Sequence, residues 1–382
     1  MEKIIEQCRE SVEDFAFSEA KRWKEQHPGG KVIGYFPVYT PVEIIHAAGM
    51  LPVAVYGAGN RIEVKQADSR LPSFICSIPR TTVEMAFRGM WDFLDLMLFH
   101  PICDVARNLV QIWHRNFSHV PTDLLYLPQN LVSRRSGEYL CDEYARFKRL
   151  LEELSGKQIS PESLRHSLQL YNRQRALIRR LYEIRRHSPW LISAADTYAL
   201  LRVGTRIPVE EHLGMLEAVL AELPGRKAKP LDKIRVVFEG SFCEQPPLEF
   251  IEVIEDVCDI VEDDFIMASR WITGPVPEEG DPLRALALSY RDLFSYSSIQ
   301  HDGRRSKSPG LLEKCRRSGA QAVILSPPKF CEPGLDDQVL FAQALQQEGI
   351  PYLAMEFEEK MTTFEPVRLQ VETFAESLLF YA

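Results

Sequence analysis

Residues 31–59, KVIGYFPVYTPVEIIHAAGMLPVAVYGAG, constrain the fold more than any other stretch. They read as a strand over 31–36, a loop, a helix opened by Pro41 and closed at Gly49, and a second strand over 51–56. Proline suits a first helical turn because the amide it lacks has no partner there, and glycine accepts the left-handed conformation that ends a helix. Two apolar strands joined through a helix pair in parallel, and parallel strands are buried on both faces. The alternation continues with a helix after Cys76, a strand at 94–100, a helix after Cys103 and a strand at 123–127. From about 138 to 223 the period turns helical, through Leu140, Tyr144, Phe147, Leu151 and Leu154 and then a long helix opened by Ser160-Pro161.

After the polar hinge GRKAKPLDK, alternation resumes with strands in IRVVFEG, DIVEDDF, AQAVILSP and PYLAMEF. Helices are expected in PPLEFIEVIED, GLLEKCRRSG, DDQVLFAQALQQEG and the closing TTFEPVRLQVETFAESLLFYA. Residues 2–26 read as one amphipathic helix ending before the breaker His27-Pro28-Gly29-Gly30. The expected organisation is α/β: an N-terminal helix (1–30), a first lobe (31–137), a helical segment (138–229) and a second lobe (230–382).

A net charge of −9 argues against nucleic-acid binding, which favours basic surfaces. No apolar run approaches the roughly 20 residues of a membrane span. The acidic start MEKIIEQCRESVEDFAF is unlike a signal peptide, so a cytoplasmic location is expected. Structural disulfides are rare there, and cysteines more often bind metal or do chemistry.

None of the eight cysteines forms CxxC or pairs with histidines at zinc-finger spacing. Cys8, Cys141, Cys258 and Cys315 read as small buried hydrophobes. Cys76, Cys103 and Cys331 differ, in the contexts RLPSFICSIPR, LDLMLFHPICD and AQAVILSPPKFCEP. Each sits where an apolar run gives way to helix-start residues. If the runs are strands, the thiols lie at strand carboxyl ends, where open α/β sheets bind ligands. Helix N-termini there favour thiolate, the metal-binding form. Three thiolates point to an iron–sulfur cluster with one iron left over. Cys243, in the loop GSFCEQPP, either approaches that site or packs between lobes, and is not counted as a ligand.

Other chemistries lack their motifs. YGAGNRI has no third glycine and follows the second strand, so it is no dinucleotide fingerprint. There is no GxxxxGK[ST], HExxH or GxSxG. Any redox reaction would then draw its electrons from a partner. His100 reads as a satisfied strand-end histidine. The arginines of the long helix, Arg165 to Arg186, read as a solvated face with ion pairs more readily than as a surface for an anion such as coenzyme A phosphate.

GYFPVYTPVEIIHAAGMLPVAVYG, with its strand, Pro-x-Glu helix start and Leu-Pro-Val strand, resembles the N-terminal signature of the benzoyl-CoA reductase and 2-hydroxyacyl-CoA dehydratase family. FICSIPR, HPICDVARN and PPKFCEP match the family's three cysteine motifs in order and spacing, and TTFEPVRLQVETF is similar to its closing helix, with Arg368 at its arginine. Within the family the likeness is to C-type subunits of the ATP-dependent benzoyl-CoA reductases. The resemblance implies two flavodoxin-like lobes with a [4Fe–4S] cluster between them, held by Cys76, Cys103 and Cys331, its fourth iron open. It implies a paralogous B-type subunit, an activase-like ATP-hydrolysing module fed by ferredoxin, and benzoyl-CoA as substrate for ring reduction. A 2-hydroxyacyl-CoA dehydratase on the same cluster is the alternative. Glu43, at the Pro-x-Glu position, is either a polar group lining the site or a first-turn glutamate favoured by the helix dipole. One departure from the family is EGSFCEQPP, where many members carry a Gly-Ser-Pro-like turn.

Overall fold

The computed structural model describes residues 1–37, 39–241, 243–265, 274–292, 306–358 and 360–380. The chain opens with α1 (Glu2–Glu13) and α2 (Ser18–Gln26). A first alternating stretch follows: β1 (Val32–Tyr35), α3 (Val42–Ala47), β2 (Leu51–Ala54), α4 (Ser77–Phe87), β3 (Leu96–Phe99), α5 (Asp104–Asn116) and β4 (Thr122–Leu124). Four helices come next, α6 (Ser136–Ser155), α7 (Pro161–His187), α8 (Ala194–Val203) and α9 (Val209–Glu222). The second alternating stretch is β5 (Ile234–Glu239), α10 (Leu248–Val257), β6 (Cys258–Asp263), α11 (Pro282–Asp292), α12 (Ser308–Ser318), β7 (Ala322–Leu325), α13 (Glu332–Gln347), β8 (Tyr352–Ala354) and α14 (Glu365–Phe380). The last two residues of the expected closing helix lie outside the described residues.

Both sheets are four-stranded and wholly parallel, ordered β2-β1-β3-β4 and β6-β5-β7-β8. The α/β expectation of two flavodoxin-like lobes holds. Strands β1, β2, β3 and β7 are buried along their whole length, as continuous apolar runs between helical layers should be. Each fully buried Val, Ile or Leu contributes about 1.5–3 kcal/mol.

The N-terminal helix is broken where a single one was expected. Asp14 accepts hydrogen bonds from the amides of Ala16 (2.9 Å) and Ser18 (2.7 Å), and Phe17 turns left-handed at φ 56°. Burial drives the break: the Phe17 ring packs edge-on against Trp91 at 4.6 Å and under the Arg206 guanidinium at 4.5 Å. A straight helix would leave Phe17 off this core. Helix α11 was not expected from the sequence, and α13 starts at Glu332 rather than 336.

Helix α7 joins the lobes through its arginines. Arg175 pairs with Glu43 at the start of α3, and Arg185 pairs with Asp263 at the end of β6; all four side chains are almost wholly buried. Arg186 binds Glu262 at 2.5 Å, and Arg173 pairs with Glu217. Arg175, Arg185 and Arg186 tie α7 to the lobes, and Arg173 ties it to α9. Arg368 on α14 likewise binds Asp256 at 2.7 Å. Among the described residues no helix is long and apolar enough to cross a membrane.

Candidate functional site

Three helices begin with the three singled-out cysteines. Cys76 is the residue before α4, Cys103 before α5 and Cys331 before α13. The first-turn amides of a helix have no partner within it, so each cysteine sits against N–H groups that favour an anion. The Cys103 sulfur already accepts from the Ala106 amide at 3.4 Å. Cys103 and Cys331 follow β3 and β7, as expected. Cys76 does not follow a strand, which corrects that expectation: residues 70–75 form turns and bends. Pro72 has no N–H for a ladder, and the first sheet already has its four strands in place.

The structure adds a fourth thiol. Cys243, in the loop after β5, is 2% exposed and packs in one buried cluster with Cys76 and Cys331, with Cys103 at its edge. Its thiol lies near enough to Cys76 and Cys331 for the three to perturb one another's ionisation. Next to it, the buried Glu244 carboxylate accepts from the Ser77 amide (2.8 Å), the Ser77 hydroxyl (2.6 Å) and the Ile78 amide (3.2 Å). A second-lobe carboxylate therefore caps a first-lobe helix, one residue from a cysteine on either side. The signal for Cys243 was available in the strand-end rule, applied to β5; Glu244 carried none.

The turns that present Cys331 are tight. Gly240 has φ 134°, and a Cβ there would lie 2.6 Å from the Ser326 carbonyl carbon. A Cβ on Gly334 would fall 3.2 Å from Pro327 and 3.5 Å from the Cys331 sulfur. Phe330, just before Cys331, is left-handed at φ 61°, a conformation that costs a non-glycine residue about 1–2 kcal/mol.

On the protein's own charges all four cysteines are thiols at neutral pH. Burial pushes Cys103 up to about 11 against the opposing Ala106 amide. For Cys76 the hydrogen bond with Cys243 lowers the pKa, but burial, Glu244 and the other thiols carry it up to about 11. Cys331 is raised well above the ordinary thiol value by its hydrogen bond with Cys243 and by burial. A metal centre would be the largest local charge and would reverse this balance. Among the described residues no three His, Cys, Asp or Glu side chains are already gathered to hold a metal ion. The donor set fits a cluster better than a single ion. A four-iron cluster spreads its cysteine sulfurs on the order of 6.5 Å apart, with each metal–sulfur bond near the roughly 2.3 Å of zinc thiolates.

A cavity of about 700 Å³ opens beside Cys103, within the size range of ligand pockets. Ile102, Arg107, Tyr126, Arg135 and Tyr139 of the first lobe and Glu332 of the second are among its walls. Glu43 is not among them. It is fully buried in α3, where one carboxylate oxygen takes Arg175 and the other has no hydrogen-bond partner among the described residues. His100 is fully buried with Nε2 2.7 Å from Thr40 Oγ1, and burial lowers its pKa to about 3, so it is neutral.

Comparisons with known proteins place the chain in a family. A family model described as 2-hydroxyglutaryl-CoA dehydratase, D-component, matches residues 37–378. The chain is 39% identical over 381 residues to the C-type subunit of benzoyl-CoA reductase from Thauera aromatica, covering 99% of each. It is 28% identical to lactoyl-CoA dehydratase subunit beta of Anaerotignum propionicum, covering 92% of each. It is also 28% identical to (R)-2-hydroxyglutaryl-CoA dehydratase subunit beta of Acidaminococcus fermentans, over 93% of this chain and 94% of the relative. These relatives are enzyme subunits, and the chain belongs to the 2-hydroxyglutaryl-CoA dehydratase D-component family.

Proposed function

We propose that this chain is an iron–sulfur subunit of an ATP-dependent benzoyl-CoA reductase, with Cys76, Cys103 and Cys331 holding a [4Fe–4S] cluster between the lobes. The observation that supports the reading is that three helix-starting cysteines, two from one lobe and one from the other, border one buried core, with Cys103 and Glu332 beside Cys331 lining a cavity. The higher identity to a reductase subunit favours ring reduction over dehydration.

A bound cluster would supply one-electron transfer at low potential, since such centres span about −700 to +450 mV. The chain's own residues do the rest. Amides at the starts of α5 and α13, Ala106 on Cys103 and Gly334 on Cys331, stabilise negative charge on those sulfurs, whereas the Ser77 and Ile78 amides of α4 are taken by Glu244. Burial of Cys76, Cys243 and Cys331 keeps water off most of the site. Half-buried Cys103 faces the cavity, where Arg107 and Arg135 attract anionic phosphates of an acyl-CoA and Tyr126 and Tyr139 offer apolar faces. Glu43 enters through its ion pair with Arg175, which holds the β1–α3 turn in place. With no phosphate-binding loop in the sequence, ATP hydrolysis is assigned to a separate activase-like module, fed by ferredoxin, and the chain pairs with a B-type paralogue.

The test is anaerobic purification of the full assembly, with iron and sulfide counted per chain and ATP-dependent reduction of benzoyl-CoA assayed. A chain without iron, or ring reduction that needs no ATPase, sinks the reading. The dehydratase reading is favoured by the family model's own description. Reductant consumed per product separates the two: a reductase uses it stoichiometrically, whereas a dehydratase recycles its electron.

A further inference from the structure

We infer that Cys243 is the fourth thiolate ligand, so that the cluster in this chain is closed by protein on all four irons and no substrate or solvent binds its iron. The inference rests on the cluster reading above and goes beyond it. Cys243 is 2% exposed and packs among Cys76, Cys331 and Cys103. Its loop is pinned on both sides: the Ser241 amide donates to Asp264 Oδ1 at 3.1 Å, and Glu244 caps α4 through Ser77 and Ile78. These anchors hold the thiol against Cys76 instead of letting it swing into solvent. Its origin is equally telling. Cys243 leaves the end of β5 and Cys331 leaves the end of its neighbour β7, the border at which this strand order reverses.

The chemistry completes the argument. Four thiolates are the ordinary ligand set of a [4Fe–4S] centre. A buried thiol sharing the core with Cys76 and Cys331 would meet an uncapped iron, and as a thiolate it outcompetes water for that soft metal site. Cys103 keeps its place lining the cavity, so its sulfur would be the ligand nearest a molecule bound there.

The experiment reads the cluster itself. The full chain and its variants are reconstituted anaerobically, reduced, and examined by electron paramagnetic resonance with and without excess cyanide. Wild type should give a spectrum that cyanide does not shift. Cys243→Ala should retain iron, show a cyanide-dependent shift, and lose one iron to a three-iron form on mild oxidation. Cys243→Ser, which keeps an oxygen ligand, should stay closed to cyanide but move the midpoint potential. A cyanide-sensitive wild-type cluster overturns the inference while leaving the cluster reading intact. So do Cys243→Ala and Cys243→Ser clusters indistinguishable from wild type. Absence of any cluster in wild type overturns the underlying reading, and this inference with it.

Discussion

The first sheet runs β2-β1-β3-β4 and the second β6-β5-β7-β8, one strand order built twice from dissimilar residues. The two lobes use it differently. In the first, Cys103 stands half-buried at the mouth of a cavity, and Cys76 hangs on a turn-rich loop with no strand before it. In the second, Cys243 and Cys331 lie beneath tight turns at Gly240, Phe330 and Gly334, with no room for an added methyl group at Gly240. One lobe provides access and the other provides a rigid floor. The same topology can present the same atom type in both ways because the strand ends only set where a residue emerges. The turn that follows sets how tightly it is held.

The strongest way to break this comparison is to remove one thiol from each lobe. Cys103→Ser and Cys331→Ser should both abolish ring reduction and lower the iron counted per chain. ATP hydrolysis by the separate module should stay measurable. Full activity after Cys103→Ser would mean that Cys103 is not a ligand.

Next come the two buried ion pairs of α7, Arg175 at mid-helix and Arg185 near its C-terminus. Removing one partner of a buried pair costs about 3–5 kcal/mol, because a charge is left unpaired. Arg185→Ala leaves Asp263 with the Tyr182 hydroxyl at 2.9 Å and the Phe265 amide at 3.0 Å. Arg175→Ala leaves Glu43 without a side-chain donor among the described residues, so urea titration should show the larger loss for the first-lobe pair. Equal losses would mean that the remaining partners of Asp263 contribute nothing.

The turns should differ by a smaller margin. Gly240→Ala meets backbone at 2.6 Å and should lower stability by about 3 kcal/mol or more. Gly49→Ala, at φ 71° with nothing within 4 Å, should cost only about 1–2 kcal/mol, the left-handed penalty alone. Thermal melts of the two variants test whether the second lobe is the stiffer.

Buried titratable groups act with opposite sign in the two lobes. Burial lowers His100 in the first lobe to about 3, below its unfolded value of roughly 6.5. Its contribution is therefore present above that value and lost as pH falls toward 3. Burial raises Glu255, on α10 of the second lobe, to about 7 despite hydrogen bonds from the amides of Ala194 and Ala195. Its contribution is present below an unfolded value of roughly 4.3 and lost as pH rises through 7. Glu255→Gln should flatten the alkaline fall in melting temperature between those limits, and an unchanged slope would contradict the assignment.

Much of this was written locally. Gly49 and Pro41 mark the ends of α3, the apolar runs at β1, β2, β3, β5 and β7 are recognisable as strands, and Cys103 and Cys331 announce themselves at strand-to-helix junctions. The failures have a shared cause. Phe17 breaks the N-terminal helix because Trp91 and Arg206, far away in sequence, offer its ring a better place. The run before Cys76 is apolar enough for a strand, yet the sheet was already full and Pro72 could not join it. Glu43 looked like a site residue by motif, and its partner Arg175 could not be found by reading α3 alone.

By itself, then, the sequence determined the α/β class, the order of elements and the three helix-starting cysteines, because short-range periodicity, caps and breakers act within a few residues. Only the tertiary structure decided that Cys243 belongs with them, that Glu244 locks one lobe to a helix of the other, and that α7 ties both lobes through buried charges. Those are contacts between residues separated by dozens to hundreds of positions, and nothing in a local pattern records which distant side chain will complete a buried polar group.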